Sequence, residues 1–194
     1  MKKGIIICFL FVVGCSTAKY IPPSKPEKPQ FSKTIASGYD KTWDAIINHV
    51  SSTFFSIENF EKESGLIIVT FGSNDPSQFI DCGTHHVKVR QNYQTKKYDG
   101  PYENFVVNYE NGSFVGRMNI TAKKISDNKT RVRVNAKYVL SDNLGHTWNF
   151  ESGSSASQKM QNTIAKNKIR KCYPTYKAEN SILNAVQKLA QNKN

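Results

Sequence analysis

The sequence predicts an α+β domain, an antiparallel sheet with two main helices packed on one face. Three observations predict it. Apolar residues alternate with polar ones over Phe114, Gly116, Met118, Ile120 and Ala122. They do so again over Val132, Val134, Ala136, Tyr138 and Leu140, with Arg131, Arg133 and Lys137 on the other face. A period of two is that of an antiparallel sheet with one covered face. Trp43, Ile46, Ile47, Val50 and Phe54 recur at the spacing of one helical face, as do Tyr176, Ile182, Leu183, Val186 and Leu189 near the C-terminus. Helices that share one side of such a sheet give a two-layer domain.

In chain order, Phe31 to Ser37 reads as a first strand, and Ser37 or Asp40 caps the first helix. Phe55 to Phe60 is short and β-compatible, Lys62-Glu63-Ser64-Gly65 is a turn, and Leu66 to Phe71 is a dense β run. Gly72-Ser73-Asn74-Asp75-Pro76 breaks it. Residues 83–102 are polar and aromatic and read as a long loop, with a short strand at Val87 to Arg90. Phe105 to Tyr109 reads as a strand, and Asn111-Gly112 is a hairpin signal. Asp127-Asn128-Lys129 turns the chain between the two alternating strands, and Trp148 with Phe150 adds a last strand. Glu151 to Lys171 reads mostly as loop, and the last helix follows Pro174.

The N-terminus carries an address. Met1-Lys2-Lys3 is a basic head, Gly4 to Val13 is a short apolar run, and Val12-Val13-Gly14-Cys15 closes it with small residues and a cysteine. That order is a bacterial secretory signal ending in a lipobox. The run is shorter than the roughly 20 apolar residues a spanning helix needs. Cys15 resembles the acceptor of bacterial lipoproteins, which implies thioether formation there, cleavage after Gly14 and acylation of the new amino terminus, palmitate included. Residues 1–14 are then a signal peptide, 15–30 an anchored tether and 31–194 a single periplasmic domain. Pro22, Pro23, Pro26 and Pro29, with Lys19, Lys25, Glu27 and Lys28, favour an extended tether. By resemblance to Gram-negative sorting rules, the non-acidic Ser16 implies the periplasmic face of the outer membrane.

The formal net charge is +12. It favours acidic partners through long-range attraction: anionic lipid head groups or acidic loops of other envelope proteins. Nucleic acid does not fit the compartment. With Cys8 in the signal and Cys15 on lipid, Cys82 and Cys172 remain, and an even pair in an oxidising compartment reads as one disulfide. Closing a loop of about 90 residues stabilises by about 4 to 5 kcal/mol in the chain-entropy model.

This order of lipobox, extended tether, Trp-bearing first helix, Ser-Gly hairpin and amphipathic last helix resembles the helix-grip domains of the BamC lipoproteins. Those are components of the outer-membrane β-barrel assembly machinery. Phe79-Ile80-Asp81-Cys82-Gly83, with Cys172 and a helix containing Glu179-Asn180-Ser181-Ile182-Leu183, is similar to a group of proteobacterial lipoproteins of unassigned function. They carry an F-x-D-C-G segment and a second cysteine before the last helix, and the likeness spans roughly Trp43 to Leu189. They often have Ser-Thr-Gly after the second cysteine, where this chain has Tyr173-Pro174-Thr175. Neither resemblance implies a catalytic motif.

The residues themselves offer little chemistry. No G-x-S-x-G, H-E-x-x-H or phosphate-binding glycine loop is present. His85 and His86 are adjacent, and on a strand would face opposite sides, so a shared metal ion is not expected. Asp81 beside an oxidised Cys82 is a turn residue rather than half of a dyad, and Trp43 belongs to the core. No cofactor is expected. Tyr93, Tyr98, Tyr102 and Phe105 interleave with Arg90, Lys96 and Lys97. Aromatics with cations form a candidate partner surface; the same residues can instead pack a long loop onto its own domain. Lys166, Lys168, Arg170 and Lys171 form a second basic cluster, a solvated stretch or an attraction to anionic lipid. The expected function is that of a non-catalytic envelope lipoprotein, a protein-binding or scaffolding module attached to an outer-membrane assembly or secretion machine. The alternatives are a carrier of a lipid or amphiphile in a helix–sheet groove and, third, an envelope enzyme.

Overall fold

The computed structural model describes residues 17–27, 29–91, 94–160 and 169–191. Strands β1 (Thr17–Ile21) and β2 (Ser32–Ile35) precede helix α1 (Tyr39–Ser51). Strands β3 (Ser56–Glu61) and β4 (Leu66–Gly72) follow, then a 3₁₀ turn at Pro76–Gln78. Next come β5 (Ile80–Asp81), β6 (Thr84–Gln91), β7 (Gln94–Pro101) and helix α2 (Tyr102–Tyr109). The chain continues through β8 (Ser113–Ser126), β9 (Lys129–Ser141), β10 (Thr147–Glu151), β11 (Ala156–Lys159), β12 (Ile169–Pro174) and helix α3 (Lys177–Gln191). The fold is mixed α+β with antiparallel pairings. A 6-stranded sheet has the order β10-β9-β8-β4-β3, with β2 also on β9; two 3-stranded sheets have the orders β1-β6-β7 and β11-β12-β5.

The β8–β9 hairpin follows its alternation residue by residue. Phe114, Gly116, Met118, Ile120 and Ala122 pair with Leu140, Tyr138, Ala136, Val134 and Val132 on one face. All ten are buried, and a large apolar side chain so placed contributes about 1.5 to 3 kcal/mol relative to exposure. Gly116 is the exception that fits, because a Cβ there would lie 2.1 Å from the Phe71 ring. Helix α1 contacts β8 and β9, helix α3 contacts β9 and β2, and the two helices contact each other. Glu179 ties α3 to the sheet: Tyr138 Oη donates to its Oε2 at 2.7 Å and Ser152 Oγ to its Oε1 at 2.7 Å. Burial, and then the neighbouring Glu179, holds the Tyr138 phenol well above its ordinary range.

Several expectations are corrected. Gly38, not Ser37 or Asp40, is the N-cap of α1. Asp40 instead lies in the first turn, where a carboxylate suits the helix dipole, and pairs with Lys62 at 2.7 Å. The helix ends at Ser51, so Phe54 leaves its face and is 59% exposed. The expected loop over 83–102 is the β6–β7 hairpin, and the expected strand at Phe105 to Tyr109 lies in α2. Tyr102, Phe105, Val106 and Tyr109 have helical spacing, and Pro101 caps the start without needing an N–H. The stretch from 151 to 171 contains β11 and the start of β12. The segment expected as a tether over 15–30 begins with β1, which pairs with β6 from Thr17↔Lys88 to Ile21↔Thr84.

Candidate functional site

Cys82 and Cys172 are joined by a disulfide, S–S 1.99 Å. Strand pairing of β5 with β12, Tyr173 opposite Asp81, brings them together. Both backbone groups of Cys82 are held: its N–H donates to Glu103 Oε2 at 3.0 Å and its carbonyl accepts from Tyr20 Oη at 2.9 Å. Asp81 Oδ1 accepts from the Gly83 N–H at 2.8 Å, a local turn. Gly83 has φ +84, and a Cβ there would lie 2.2 Å from the Ile21 carbonyl oxygen. This glycine lets β1 cross closely over the cystine.

Behind the cystine lies a polar interior. Arg170 is 2% exposed. Its guanidinium sits 3.8 Å over the Tyr20 ring and 5.3 Å from that of Tyr102, and its carbonyl accepts from Trp148 Nε1 at 2.9 Å. Desolvation lowers the Arg170 pKa and pushes Glu103 up to about 8. Burial, with Asp142 adding to it, pushes Glu110 up to about 7. Asp142 Oδ2 meets His146 Nδ1 at 2.6 Å, while its Oδ1 accepts from the N–H groups of Leu144 and His146, both at 2.9 Å. Glu103, like Arg170, is 2% exposed and lies in the interior around the disulfide.

The accessible chemistry is outside, where the β6–β7 hairpin meets α2. Tyr98 is half-buried and donates its hydroxyl to the Pro101 carbonyl at 2.7 Å. Its ring lies 5.0 Å from that of Phe105 and 5.1 Å from that of Tyr109, and Phe105 stacks on Tyr109 at 5.6 Å. Tyr109, at the end of this aromatic step, is 65% exposed. Burial, and then Glu103, pushes the Tyr98 phenol up to about 12. Lys97, next in sequence, is exposed on the opposite face of β7 and pairs in register with Lys88. Lys19, His86, Lys88, Lys97, Tyr98 and Asp99 line a hollow of about 280 Å³ between β1 and the hairpin.

The expected partner residues therefore separate. Tyr98 lies on this surface, and Lys97, its neighbour on β7, faces the other side of the hairpin with Lys88. Arg90 and Lys96 lie on the paired strands, opposite Thr95 and Val89, with their side chains outside the described part, and Tyr93 lies outside the described residues. Tyr102 is corrected: at 2% exposure it belongs to the interior, under Tyr20 and Trp148. Phe105, part of the expected aromatic set, lies on this surface, and Tyr109 joins it through helical spacing that a strand reading hides. His85 is buried against Tyr102 and Phe105, and His86 meets Asp99 at 2.8 Å. In the second basic cluster Arg170 is interior, and Lys171 lies 5.0 Å from the Tyr173 ring; Lys166, Lys168 and the expected lipid anchor Cys15 lie outside the described residues.

The chain matches no protein-family model, no curated protein and no solved structure. Among the described residues no helix is long and apolar enough to cross a membrane.

Proposed function

We propose that this protein is a non-catalytic lipoprotein of the bacterial cell envelope that binds other envelope proteins as an accessory of an outer-membrane assembly or secretion machine. The observation that carries the reading is the aromatic step of Tyr98, Phe105 and Tyr109, which runs from half-buried rings out to the exposed Tyr109. Aromatic side chains that reach the surface as a cluster match the composition of protein-binding surfaces. The lipobox-like Val12-Val13-Gly14-Cys15 supports anchoring through Cys15 to the periplasmic face of the outer membrane. The bonded Cys82–Cys172 pair suits an oxidising compartment. The order of a first helix, a β meander and a last helix supports the likeness to the helix-grip domains of BamC.

Photo-crosslinking from position 109 in native membranes tests the reading. A discrete protein adduct is expected, lost in Phe105→Ala, which removes the ring stacked on Tyr109, and retained in Lys97→Glu, on the other face of β7. Adducts with lipid alone, or an unaltered adduct in Phe105→Ala, overturn it. In parallel, Cys15→Ala is expected to leave an unprocessed, unacylated precursor; normal maturation and labelling sink the anchor.

A further inference from the structure

The face of the 6-stranded sheet turned away from α1 and α3 carries an unusual pattern. Register sets Arg117 opposite Lys137, Asn119 opposite Asn135, Thr121 opposite Arg133 and Lys123 opposite Arg131. Every one of these side chains is exposed. Like charges directly opposite each other on a sheet are destabilising, and a face that serves only solubility intersperses the two signs. Here two cross-strand pairs are cation against cation. Among the described residues only Arg117 of this set forms an ion pair, with Glu58 at 2.8 Å.

The cations also surround a hollow. Strand β9 changes its edge partner along its length: β10 covers 137–141 and β2 covers 130–133. At the gap Ser152 bonds both backbone groups of Ala136, its Oγ accepting the Ala136 N–H at 2.7 Å and its N–H donating to the carbonyl at 2.8 Å. Above this junction Arg117, Asn119, Arg133, Asn135, Lys137 and Glu151 line a concavity of about 500 Å³.

We infer that this hollow is a docking site for an extended acidic polypeptide segment of another protein, one carrying Asp or Glu at alternate positions. Guanidinium groups present paired donors that match a carboxylate. The two asparagines donate and accept, as a peptide backbone requires. Side chains two apart on a strand repeat at about 7 Å, so alternate carboxylates of an extended ligand match the spacing of Arg131 and Arg133, with Asn135 and then Lys137 continuing the same row of β9. Glu151 in the wall repels a continuous polyanion, and a planar bilayer does not enter a concavity. The net charge of +12 adds long-range attraction for an acidic partner. The site lies on β8–β10, apart from the hairpin surface, and stands whether or not that surface binds a partner.

The test uses the full chain in detergent and a fluorescein-labelled peptide of alternating Glu and Ser, read by anisotropy. Binding is expected to weaken steeply between about 20 and about 200 mM salt. Arg133→Glu with Lys137→Glu is expected to raise Kd at least about tenfold, with an unchanged circular dichroism spectrum. Should that variant misfold, Arg133→Gln alone is expected to raise Kd about threefold. Asn119→Ala with Asn135→Ala, which leaves the charge unchanged, is expected to raise Kd about twofold to fivefold. Lys188→Glu, an exposed cation on α3 with the same change of charge, serves as the control and is expected to leave Kd unchanged. Equal binding by the Arg133 variants overturns the site. So does an equal loss in Lys188→Glu with none in the asparagine variant, which reports bulk charge only. Binding of phosphatidylglycerol vesicles through Arg133 and Lys137, with no peptide binding, also overturns it in favour of a membrane surface.

Discussion

Between the 6-stranded sheet and its two helices, Ile46, Val50, Met118, Ile120, Val134, Ile182 and Leu183 are each 0% exposed. Around the Cys82–Cys172 bridge the buried groups include Glu103, Arg170 and His85, at 2%, 2% and 7% exposure. The first region is held chiefly by apolar burial, which depends on neither pH nor redox state. The second is held by a cross-link and by polar groups whose charge depends on burial. One chain thus contains two regions whose stabilities respond to different variables, and the proposed partner surface with Tyr98 and Tyr109 belongs to the second.

The largest effect is expected in the apolar layer. Leu183→Ala removes a fully buried side chain from α3 and is expected to cost about 2 to 5 kcal/mol. Urea denaturation measures it, and the loss is expected to be the same in oxidised and reduced protein. A loss under about 1 kcal/mol would mean that the layer collapses around the missing side chain.

Removing the cross-link comes next. Cys82→Ala with Cys172→Ala is expected to cost about 2 to 4 kcal/mol, below the chain-entropy figure because the uncross-linked unfolded chain retains structure. The loss is expected to be local at first: amides of β5, β6 and β12 exchange faster while those of β8 and β9 stay protected. Uniform loss of protection would erase the distinction between the two regions.

The same division governs what the sequence reveals. The alternation on β8 and β9 and the stripe on α3 are legible because one side of each element meets an apolar layer. Around the disulfide the partners are distant in sequence and polar. Tyr20 bonds Cys82 across a separation of 62 residues and Trp148 bonds Arg170 across 22, and no period in the chain reports such pairs. Strand β1 is hidden for the same reason: Thr17 to Ile21 precedes a run of prolines, and its pairing depends on β6, far along the chain. Helix α2 is different. Its spacing of Tyr102, Phe105, Val106 and Tyr109 is present in the sequence, but Phe-Val-Val at 105–107 has high β propensity. Of the candidate surface, Tyr98 and Phe105 are legible from composition, whereas the burial of Tyr102 and the turning of Lys97 to the other face require the fold.

A smaller effect separates the regions by pH. The Glu103 carboxyl has a folded pKa of about 8 against an ordinary value of 4.5. The folded state therefore keeps a proton that the unfolded state releases. Its contribution is fully present below about pH 4.5 and is lost as pH rises through about 8. Between about pH 5 and 7 the loss is expected to be about 2 kcal/mol. Glu110, raised to about 7, acts in the same direction. Glu103→Gln keeps an acceptor for the Cys82 N–H and is expected to flatten most of the decline in melting temperature. The residual slope is expected to disappear when Glu110→Gln is added. An unchanged slope in the double variant would place the titrating group elsewhere.

The smallest expected effect lies on the open side of the apolar region's own sheet, and its sign is opposite. Lys123 and Arg131 face each other across β8 and β9 and are both exposed. Lys123→Glu turns that repulsion into attraction without touching the covered face, where the neighbouring Ala122 and Val132 pack. The melting temperature is expected to rise by about 1 to 2 °C at low salt, because opposed pairs of this kind contribute only fractions of a kcal/mol. The gain is expected to fade as salt shortens the Debye length to a few ångströms near 1 M. A salt-independent rise would point to a propensity or packing effect instead. A fall at low salt would mean that Lys123 already compensates an acidic neighbour, and the open face would then be less cationic than its register implies.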